Sequence, residues 1–281
     1  MRIAVISSLE KDKNFKFTRQ VSSHLLKMNA SVFLPASNKA AAVENAEYLE
    51  NNLLFDSAEL IIAIGGDGTI LHAAKSAALK QLPVLGINTG RLGFMAGLEM
   101  DELERLEKLF SGDFEIDNRM MLEVRVSGND GVFYALNDAV ISRGSLSRII
   151  DIMVTSNGRE VAGYRADGII ISTPTGSTAY SLSAGGPIVD PLLESIGITP
   201  ICPHSLISRT ILFEPNSQIS ILPHNLQEKE AWLTIDGQNI VRLESGAEVF
   251  VSRSKLKTKL VRLKDISFYE VLKNKMNERG I

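Results

Sequence analysis

The chain has 281 residues, of which 44% are hydrophobic and 22% are charged, and its formal net charge is −3. This profile is typical of a globular protein long enough for about two domains, without a bulk charge that would attract nucleic acid or anionic membranes. The single cysteine, Cys202, excludes an intramolecular disulfide and a cysteine-cluster zinc site. No apolar stretch reaches the ~20 residues of a membrane span, and the N-terminus lacks a signal-peptide core, so we expect a soluble, cytoplasmic protein.

The first 115 residues alternate short apolar runs with helical patterns. The runs are continuous in Ile, Val and Leu, which is typical of strands buried on both faces of a parallel sheet. We therefore predict a Rossmann-like α/β domain over residues 1–115. The predicted strands are 2–7, 31–35, 59–64 and 83–88, and helical spacing occurs in Phe15, Val21, Leu25 and Leu26 and again in Leu98, Leu103, Leu106 and Leu109.

Short β-branched runs separated by turn dipeptides follow, and they predict a mainly antiparallel β-sandwich domain over residues 116–264. The clearest hairpin is 148–165, where Asn157-Gly158 suits a type I′ turn. Residues 265–281 predict a C-terminal helix that begins at an Asp265 N-cap and packs back on the first domain. Further predicted strands of the β domain are 230–235, 239–245, 248–254 and 255–263.

The sequence Gly65-Gly66-Asp67-Gly68-Thr69 joins a predicted buried strand to an Ala-rich helix. Glycines at a helix N-terminus expose N–H groups that suit a phosphate. The loop is not a dinucleotide fingerprint, because Leu71 replaces the third glycine and Asn88 the later acidic residue, and no P-loop Gly-Lys-Ser/Thr follows. A carboxylate beside phosphates is unfavourable unless a metal or a proton-transfer role compensates. Asp67 is therefore either a candidate for chemistry or a cap of its own helix.

Residues 167–187 are rich in glycine and in small hydroxylated residues, directly after a buried strand. Such a run either lines a polar pocket, with Tyr180 as a ring for stacking, or forms a turn-rich connection. Asn137-Asp138 is a polar pair inside an apolar run, so it needs buried partners, and a ligand could supply them.

Two other patterns indicate less chemistry. The four histidines are scattered without metal-ligand spacing. A run of alternating cations shares one strand face, which we interpret as a solvated, edge-protecting face in preference to a polyanion site. Its cations are Arg253, Lys255, Lys257 and Lys259, with Leu256 and Leu260 on the opposite face.

Taken together, these segments resemble the NAD kinase family, within the wider diacylglycerol-kinase-like group that shares the Gly-Gly-Asp-Gly loop. The loop identifies only the wider group. The narrower resemblance rests on four further matches in order along the chain: INTGRLGF (87–94), ALND (135–138), YRADG (164–168) with TPTGSTAYSLSAGGP (173–187), and TIDGQ (234–238). It implies ATP-dependent phosphorylation of the 2′-hydroxyl on the adenosine ribose of NAD, giving NADP.

The resemblance also implies roles for individual residues. Asp67 would act as general base on the 2′-hydroxyl, and Asn137 with Asp138 matches an Asn-Glu pair that holds NAD, the glutamate being shortened here to aspartate. The loop for the donor phosphates would be Gly65, Gly66, Gly68 and Thr69. The other positions implied to bind NAD are Gly68, His72, Arg148, Arg165, Asp167, Thr178, Ala179, Tyr180, Ser181, Leu182, Ser183 and Gln238.

ATP is the implied phosphoryl donor, and NAD and ATP are the partners we expect, with no nucleic acid and no membrane. Because the loop has no P-loop lysine, we expect backbone N–H groups and a nucleotide-borne divalent cation, Mg²⁺, to neutralise the phosphates. The resemblance further implies a homodimer or homotetramer assembled through the β domain, and we expect the active site in the cleft between domains. The alternatives are a lipid or sugar kinase built on the same loop and a non-catalytic NAD(P) sensor.

Overall fold

The computed structural model describes residues 1–90, 93–144, 149–205, 208–226 and 230–278, apart from the side chains of residues 239, 240 and 278. The chain forms two compact units. Unit 1 comprises Met1–Asn118 and Leu256–Ile281, and unit 2 comprises Arg119–Lys255.

Unit 1 is built on a parallel sheet, which confirms the predicted α/β architecture. Its strands are β1 Arg2–Ser7, β2 Ser31–Pro35, β3 Glu47–Leu49, β4 Leu60–Gly65, β5 Pro83–Asn88 and β6 Leu98–Glu99. They lie in the order β3-β2-β1-β4-β5, and β6 pairs in parallel with β5. The predicted bounds of β1, β2 and β5 are confirmed, and β4 lies one residue later than predicted.

The central position of β4 in this sheet follows from its apolar sequence. The strand is buried along its whole length, and its Ile62 and Ile64 belong to one core with Val5 and Ile87. Helices cover the sheet: α1 Lys16–Lys27, α2 Asn51–Ser57, α3 Asp67–Leu79 and α4 Glu107–Ser111, with short 3₁₀ helices at Lys13–Phe15, Ala36–Ala41 and Leu103–Leu106.

The helix predicted from Leu98 to Leu109 is wrong. Leu98 lies in β6 and pairs with Ile87, Leu103 and Leu106 lie in a 3₁₀ helix, and only Leu109 lies in α4. The last three leucines are spaced by three residues, which is the repeat of a 3₁₀ helix, so the same face is buried without a continuous α-helix.

Unit 2 is mostly antiparallel β-structure. Its strands are β7 Glu115–Val126, β8 Asn129–Ala135, β9 Asp138–Arg143, β10 Ile150–Ser156, β11 Arg159–Ala166, β12 Gly168–Ser172, β13 Ile196–Ile201, β14 Ile211–Phe213, β15 Ile219–His224, β16 Ala231–Ile235, β17 Gln238–Leu243 and β18 Val249–Arg262. One set of paired strands runs β11-β10-β15-β18 and a second sheet runs β14-β13-β12-β9-β16-β17, while β7 pairs with β8. Along the chain, β7 and β18 each continue into unit 1.

Alternating side chains from both sheets form one core in unit 2, as the predicted β-sandwich requires. Ile150, Ile152 and Val154 of β10 are examples. The predicted Asn157-Gly158 hairpin is confirmed, since both residues have positive φ, at 50° and 76°, and β10 pairs with β11 across them.

Strand β18 corrects two predictions. Residues 248–254 and 255–263 form a single strand and not two. The alternation is confirmed at Arg253, Lys255 and Lys257, which are exposed, and at Leu260, which is buried, whereas Leu256 and Lys259 are both half-buried. The period of two therefore persists across the point where the sequence suggested a break. The edge-protecting interpretation is wrong, because β18 pairs with β15 near its start and with β5 near its end.

Two helices complete the chain, α5 Tyr180–Ser183, which follows a 3₁₀ turn at Thr175–Thr178, and α6 Phe268–Glu278. The predicted Asp265 N-cap is wrong. Ser267 precedes α6 and accepts a hydrogen bond from the Glu270 N–H, while the Glu270 carboxylate accepts from the Ser267 N–H and hydroxyl. This reciprocal pair is a capping box. Among the described residues, no helix has the length and apolarity to span a membrane.

Candidate active site

The turn between β4 and α3 is tighter than a loop, because β4 ends at Gly65 and α3 begins at Asp67. A side chain on Gly65 would collide with the Thr69 side chain, and the Thr69 N–H donates to the Gly66 carbonyl at 2.9 Å. Glycine at 65 therefore lets the helix start directly at the sheet edge. Gly68 and His72 lie one turn apart on α3, and both are exposed.

Asp67 is held by the segment that follows β5, and not by its own helix. Its Oδ2 accepts the Phe94 N–H at 3.0 Å and its Oδ1 accepts the Met95 N–H at 3.2 Å. A side chain on Gly93 would collide with the carboxylate, so this close approach requires glycine there. In the described part of the chain, α3 has no side-chain cap, and the interpretation of Asp67 as a helix cap is wrong.

Arg262 of β18 supports the segment that holds Asp67. Its guanidinium donates to the Ala96 carbonyl at 2.9 Å and to the Phe94 carbonyl at 3.4 Å. The same guanidinium pairs with the half-buried Asp117 carboxylate at 3.2 Å. The segment that orients Asp67 is thus held through its N–H groups by Asp67 and through its carbonyl groups by Arg262. Arg262 is a positioning residue that was not predicted from the sequence.

A cavity of about 370 Å³ opens beside Asp67 in unit 1. It lies beyond the carboxyl ends of β1, β4 and β5, the edge at which parallel α/β sheets bind ligands. The described residues that line it are Lys11, Gly66, Asp67, Asn88, Thr89, Gly90, Gly93 and Lys275. Of these, only Gly66 and Asp67 were predicted as site residues; the two lysines are distant in sequence and belong to no motif.

In unit 2, one carboxylate organises the Asn137-Asp138 pair. Asp236 accepts hydrogen bonds from three consecutive N–H groups, of Leu136 at 3.0 Å, Asn137 at 2.8 Å and Asp138 at 3.1 Å. Asp236 and Gly237 both have positive φ, so the Asp-Gly turn between β16 and β17 aims this carboxylate. Asp236 belongs to the TIDGQ motif, but the resemblance implied a role only for the last residue of that motif, Gln238.

Asp138 is 5% exposed, and its environment is unfavourable for a charge. Its burial, and to a lesser extent the neighbouring Asp236 carboxylate, raises the pKa of Asp138 from the usual 3.8 to about 7. A shifted pKa of this kind is common at functional sites, and it marks Asp138 as more than a solvated surface carboxylate.

The hydroxyl-rich segment lies directly against Asn137. Thr173 donates its hydroxyl to the Leu136 carbonyl, and a side chain on Gly176 would collide with the Asn137 backbone. Within the segment, Ser181 is buried and hydrogen-bonded to Thr199 at 3.0 Å, which is a structural role. Tyr180 and Ser183 are exposed, while Thr178, Ala179 and Leu182 are half-buried. Residues 173–176 of this turn-rich connection therefore pack directly against the backbone of the Asn137-Asp138 pair.

The remaining predicted positions are spread over unit 2. Asp167 is half-buried and pairs with Arg143, Oδ1 to Nε, at 2.7 Å, a contact that the sequence analysis missed. Arg165 and Gln238 are exposed, and Gln238 begins β17 directly after the Asp236-Gly237 turn. Arg148 lies outside the described residues.

Comparison with known proteins gives the same result for both units. Residues 2–114 match the ATP-NAD kinase N-terminal domain and residues 136–263 match the ATP-NAD kinase C-terminal domain. An NAD kinase of Thermoanaerobacter sp. (strain X514) is 40% identical over 285 residues, covering 99% of both chains.

Two solved structures agree with this relationship. A yeast NADH kinase complexed with NADH superposes with a TM-score of 0.88 at 26% identity, covering 99% of this chain and 86% of the other. An NAD kinase from Archaeoglobus fulgidus in complex with ATP superposes with a TM-score of 0.77 at 26% identity, covering 100% of both chains. The chain belongs to the ATP-NAD kinase family, as the motifs around Asp67, Asn137 and Asp236 indicated, and it is an enzyme that phosphorylates NAD.

Proposed function

We propose that this enzyme transfers the γ-phosphoryl group of ATP to the 2′-hydroxyl of the adenosine ribose of NAD, with Asp67 as the general base. The observation that carries the proposal is the Asp67 carboxylate, which is fixed by the Phe94 and Met95 N–H groups and lines the cavity beside Gly66. The ATP complex of the Archaeoglobus fulgidus relative supports ATP as the donor.

The chemistry at Asp67 follows from its two hydrogen bonds. Each carboxylate oxygen accepts one backbone N–H and keeps a further lone pair, so the group can accept a substrate hydroxyl while its orientation stays fixed. As the 2′-oxygen forms its bond to the γ-phosphorus, the hydroxyl proton passes to Asp67 and ADP leaves with the electrons of the broken bond. Assistance by a general base is typically worth 10²–10⁴-fold, or about 3–5 kcal/mol.

We assign the acceptor to unit 2 and the donor phosphates to the turn at Gly65, Gly66, Gly68 and Thr69. Asn137 and Asp138 would hold NAD, supported by the three N–H groups that fix this pair on Asp236. The exposed ring of Tyr180 is available for stacking. The other proposed NAD contacts are His72, Arg148, Arg165, Asp167, Thr178, Ala179, Ser181, Leu182, Ser183 and Gln238.

A nucleotide-borne Mg²⁺ fits the cavity. Among the described lining residues, Asp67 is the one carboxylate, whereas the acidic cluster of Glu99, Asp101 and Glu102 does not line it. Mg²⁺ is usually held by one or two carboxylates together with substrate phosphates, so a lining with a single carboxylate fits an ion carried mainly by the donor phosphates. When bound, the ion would offset the charge of the donor phosphates.

The assembly is proposed to be a homodimer or homotetramer formed through unit 2. Ile188, Leu192, Leu193 and Leu212 of this unit are exposed, and Leu192 is 81% exposed, which supports an apolar contact with a second copy. Light scattering should give two or four times the chain mass of 30.7 kDa. A mass of 30.7 kDa at micromolar concentration would contradict this assignment. The cytoplasmic location stays a prediction from the sequence.

A coupled assay tests the proposed reaction. The purified protein is given ATP and Mg²⁺ with NAD, NADH, sphingosine, diacylglycerol or fructose 6-phosphate in separate reactions, and ADP release is measured. We expect turnover with NAD or NADH only. Turnover of a lipid or sugar without NAD would favour the other kinases that share the loop, and NAD binding without any ADP release would favour a sensor.

A further inference from the structure

Two lysine side chains line the cavity beside Asp67, and neither was expected from a motif. Lys11 follows β1, and Lys275 comes from α6, more than 260 residues further along the chain. We propose that Lys11 and Lys275 bind the phosphates of the donor nucleotide and so replace the lysine that a P-loop would supply. This inference rests on the proposed function for the identity of the donor.

The backbone fixes Lys11 at the cavity. Its N–H donates to the Ser8 carbonyl at 3.0 Å, and the next residue, Asp12, is buried. The Asp12 carboxylate accepts the Phe17 and Thr18 N–H groups at 2.7 and 2.9 Å, which ties this turn to the start of α1. A methyl group on Gly66 would lie 2.5 Å from the Lys11 Nζ, so the ammonium group rests against the glycine turn.

Lys275 is fixed by a different contact. Its Nζ lies 5.4 Å from the centroid of the Phe94 ring, a cation–π distance, and Phe268 contacts the same ring at 5.9 Å between centroids. Phe268 and Lys275 are seven residues apart, so they share one face of α6. Lys275 is therefore held beside the segment whose N–H groups orient Asp67.

The charge balance of the cavity favours a polyanion. Its described lining has two ammonium groups and one carboxylate, and in the described part of the chain neither lysine forms an ion pair. Lysines that are held at a cavity without a carboxylate partner can bind phosphate oxygens, because charge-assisted hydrogen bonds to phosphate are among the strongest in proteins. The positive charge lies beside the Gly66–Asp67 turn, where the donor phosphates are proposed to sit, and this favours the donor over the NAD pyrophosphate.

The test measures KM for each substrate in variants of the full chain. Lys11→Met and Lys275→Met keep the apolar stem and remove the charge, and Lys11→Arg and Lys275→Arg keep the charge. Each Met variant should raise KM for ATP by about 10-fold or more, with KM for NAD unchanged, because one charged hydrogen bond is lost. The Arg variants keep the positive charge in a bulkier group and should therefore raise KM for ATP less than the corresponding Met variants. Lys13→Met and Lys273→Met are matched controls on exposed neighbouring lysines and should change neither KM.

A binding measurement separates this inference from the proposed function. Calorimetric titration of the same variants with ATP, and with inorganic tripolyphosphate, should show the same loss of affinity without any turnover. If the wild type phosphorylates NAD but both Met variants keep the wild-type KM and affinity for ATP, the lysine assignment is overturned and the proposed function stands. A rise in KM for NAD alone would also overturn it. If the wild type phosphorylates no NAD, the proposed function fails, while the titration still decides whether the lysines bind phosphate.

Discussion

The buried carboxyl group of Asp138 should make the stability of this protein depend on pH in a defined window. Burial and the neighbouring Asp236 raise the pKa of Asp138 from 3.8 to about 7. Between these two values the native state binds more protons than the unfolded state, so the free energy of unfolding falls as pH rises and levels off above about pH 7. From pH 5 to pH 7 the native state holds about one more proton than the unfolded state. At about 1.4 kcal/mol per pH unit, the free energy of unfolding therefore falls by ~2–3 kcal/mol.

Urea unfolding at pH 5, 6, 7 and 8 measures this effect in the wild type and in Asp138→Asn. Asparagine cannot ionise, so the wild type should lose ~2–3 kcal/mol relative to the variant across the window. Asp130→Asn is the matched control, because Asp130 is an exposed carboxylate of the same unit, and its curve should run parallel to that of the wild type. If Asp138→Asn also runs parallel to the wild type, the pKa of Asp138 is ordinary and our account of its environment is wrong.

Three further substitutions test the site. Asp67→Asn should lower kcat by at least ~100-fold while NAD affinity, measured by calorimetry, stays near wild type; unchanged turnover would remove Asp67 from the mechanism. Asn137→Ala should raise the KM for NAD and leave the KM for ATP nearly unchanged, and an equal rise in both would assign the pair a structural role. Gly176→Ala should destabilise the protein by ~1–3 kcal/mol in urea unfolding, because its Cβ would collide with the Asn137 backbone. Gly163→Ala is the control, because this glycine of the same unit has no positive φ and its Cβ would meet only the Met153 side chain, at 4.0 Å. A wild-type midpoint for Gly176→Ala would show that the contact is loose.

Local patterns were sufficient to predict much of the fold. Continuous apolar runs predicted β1, β2 and β5 with correct bounds, because strands buried on both faces need apolar residues at every position. Asn157-Gly158 predicted its hairpin, because few residue pairs accept positive φ twice. The N-cap of α6 is also predictable from the sequence, because Ser267 and Glu270 have the spacing of a capping box, which Asp265 lacks.

Only the residues of the site that belong to local sequence motifs could be predicted. The motifs located Asp67 and Asn137-Asp138, but the groups that hold them come from distant parts of the chain. Asp236 reaches Leu136 across 100 residues, and Arg262 reaches Ala96 across 166. Such partners carry no local signal, because their positions depend on sheet register and loop packing. Lys11 and Lys275 line the cavity but were not predicted from the sequence, for the same reason.

Phosphorus NMR of the product formed from ATP and NAD by the purified protein, run beside Asp67→Asn, tests the proposed reaction. We predict one ADP released for each new phosphomonoester, located on the 2′-oxygen of the adenosine ribose, and a product that an NADP-specific dehydrogenase reduces. The Asp67→Asn reaction should show the same product at least ~100-fold more slowly. A phosphate on the 3′-oxygen, or ADP released without any phosphorylated NAD, would contradict the account.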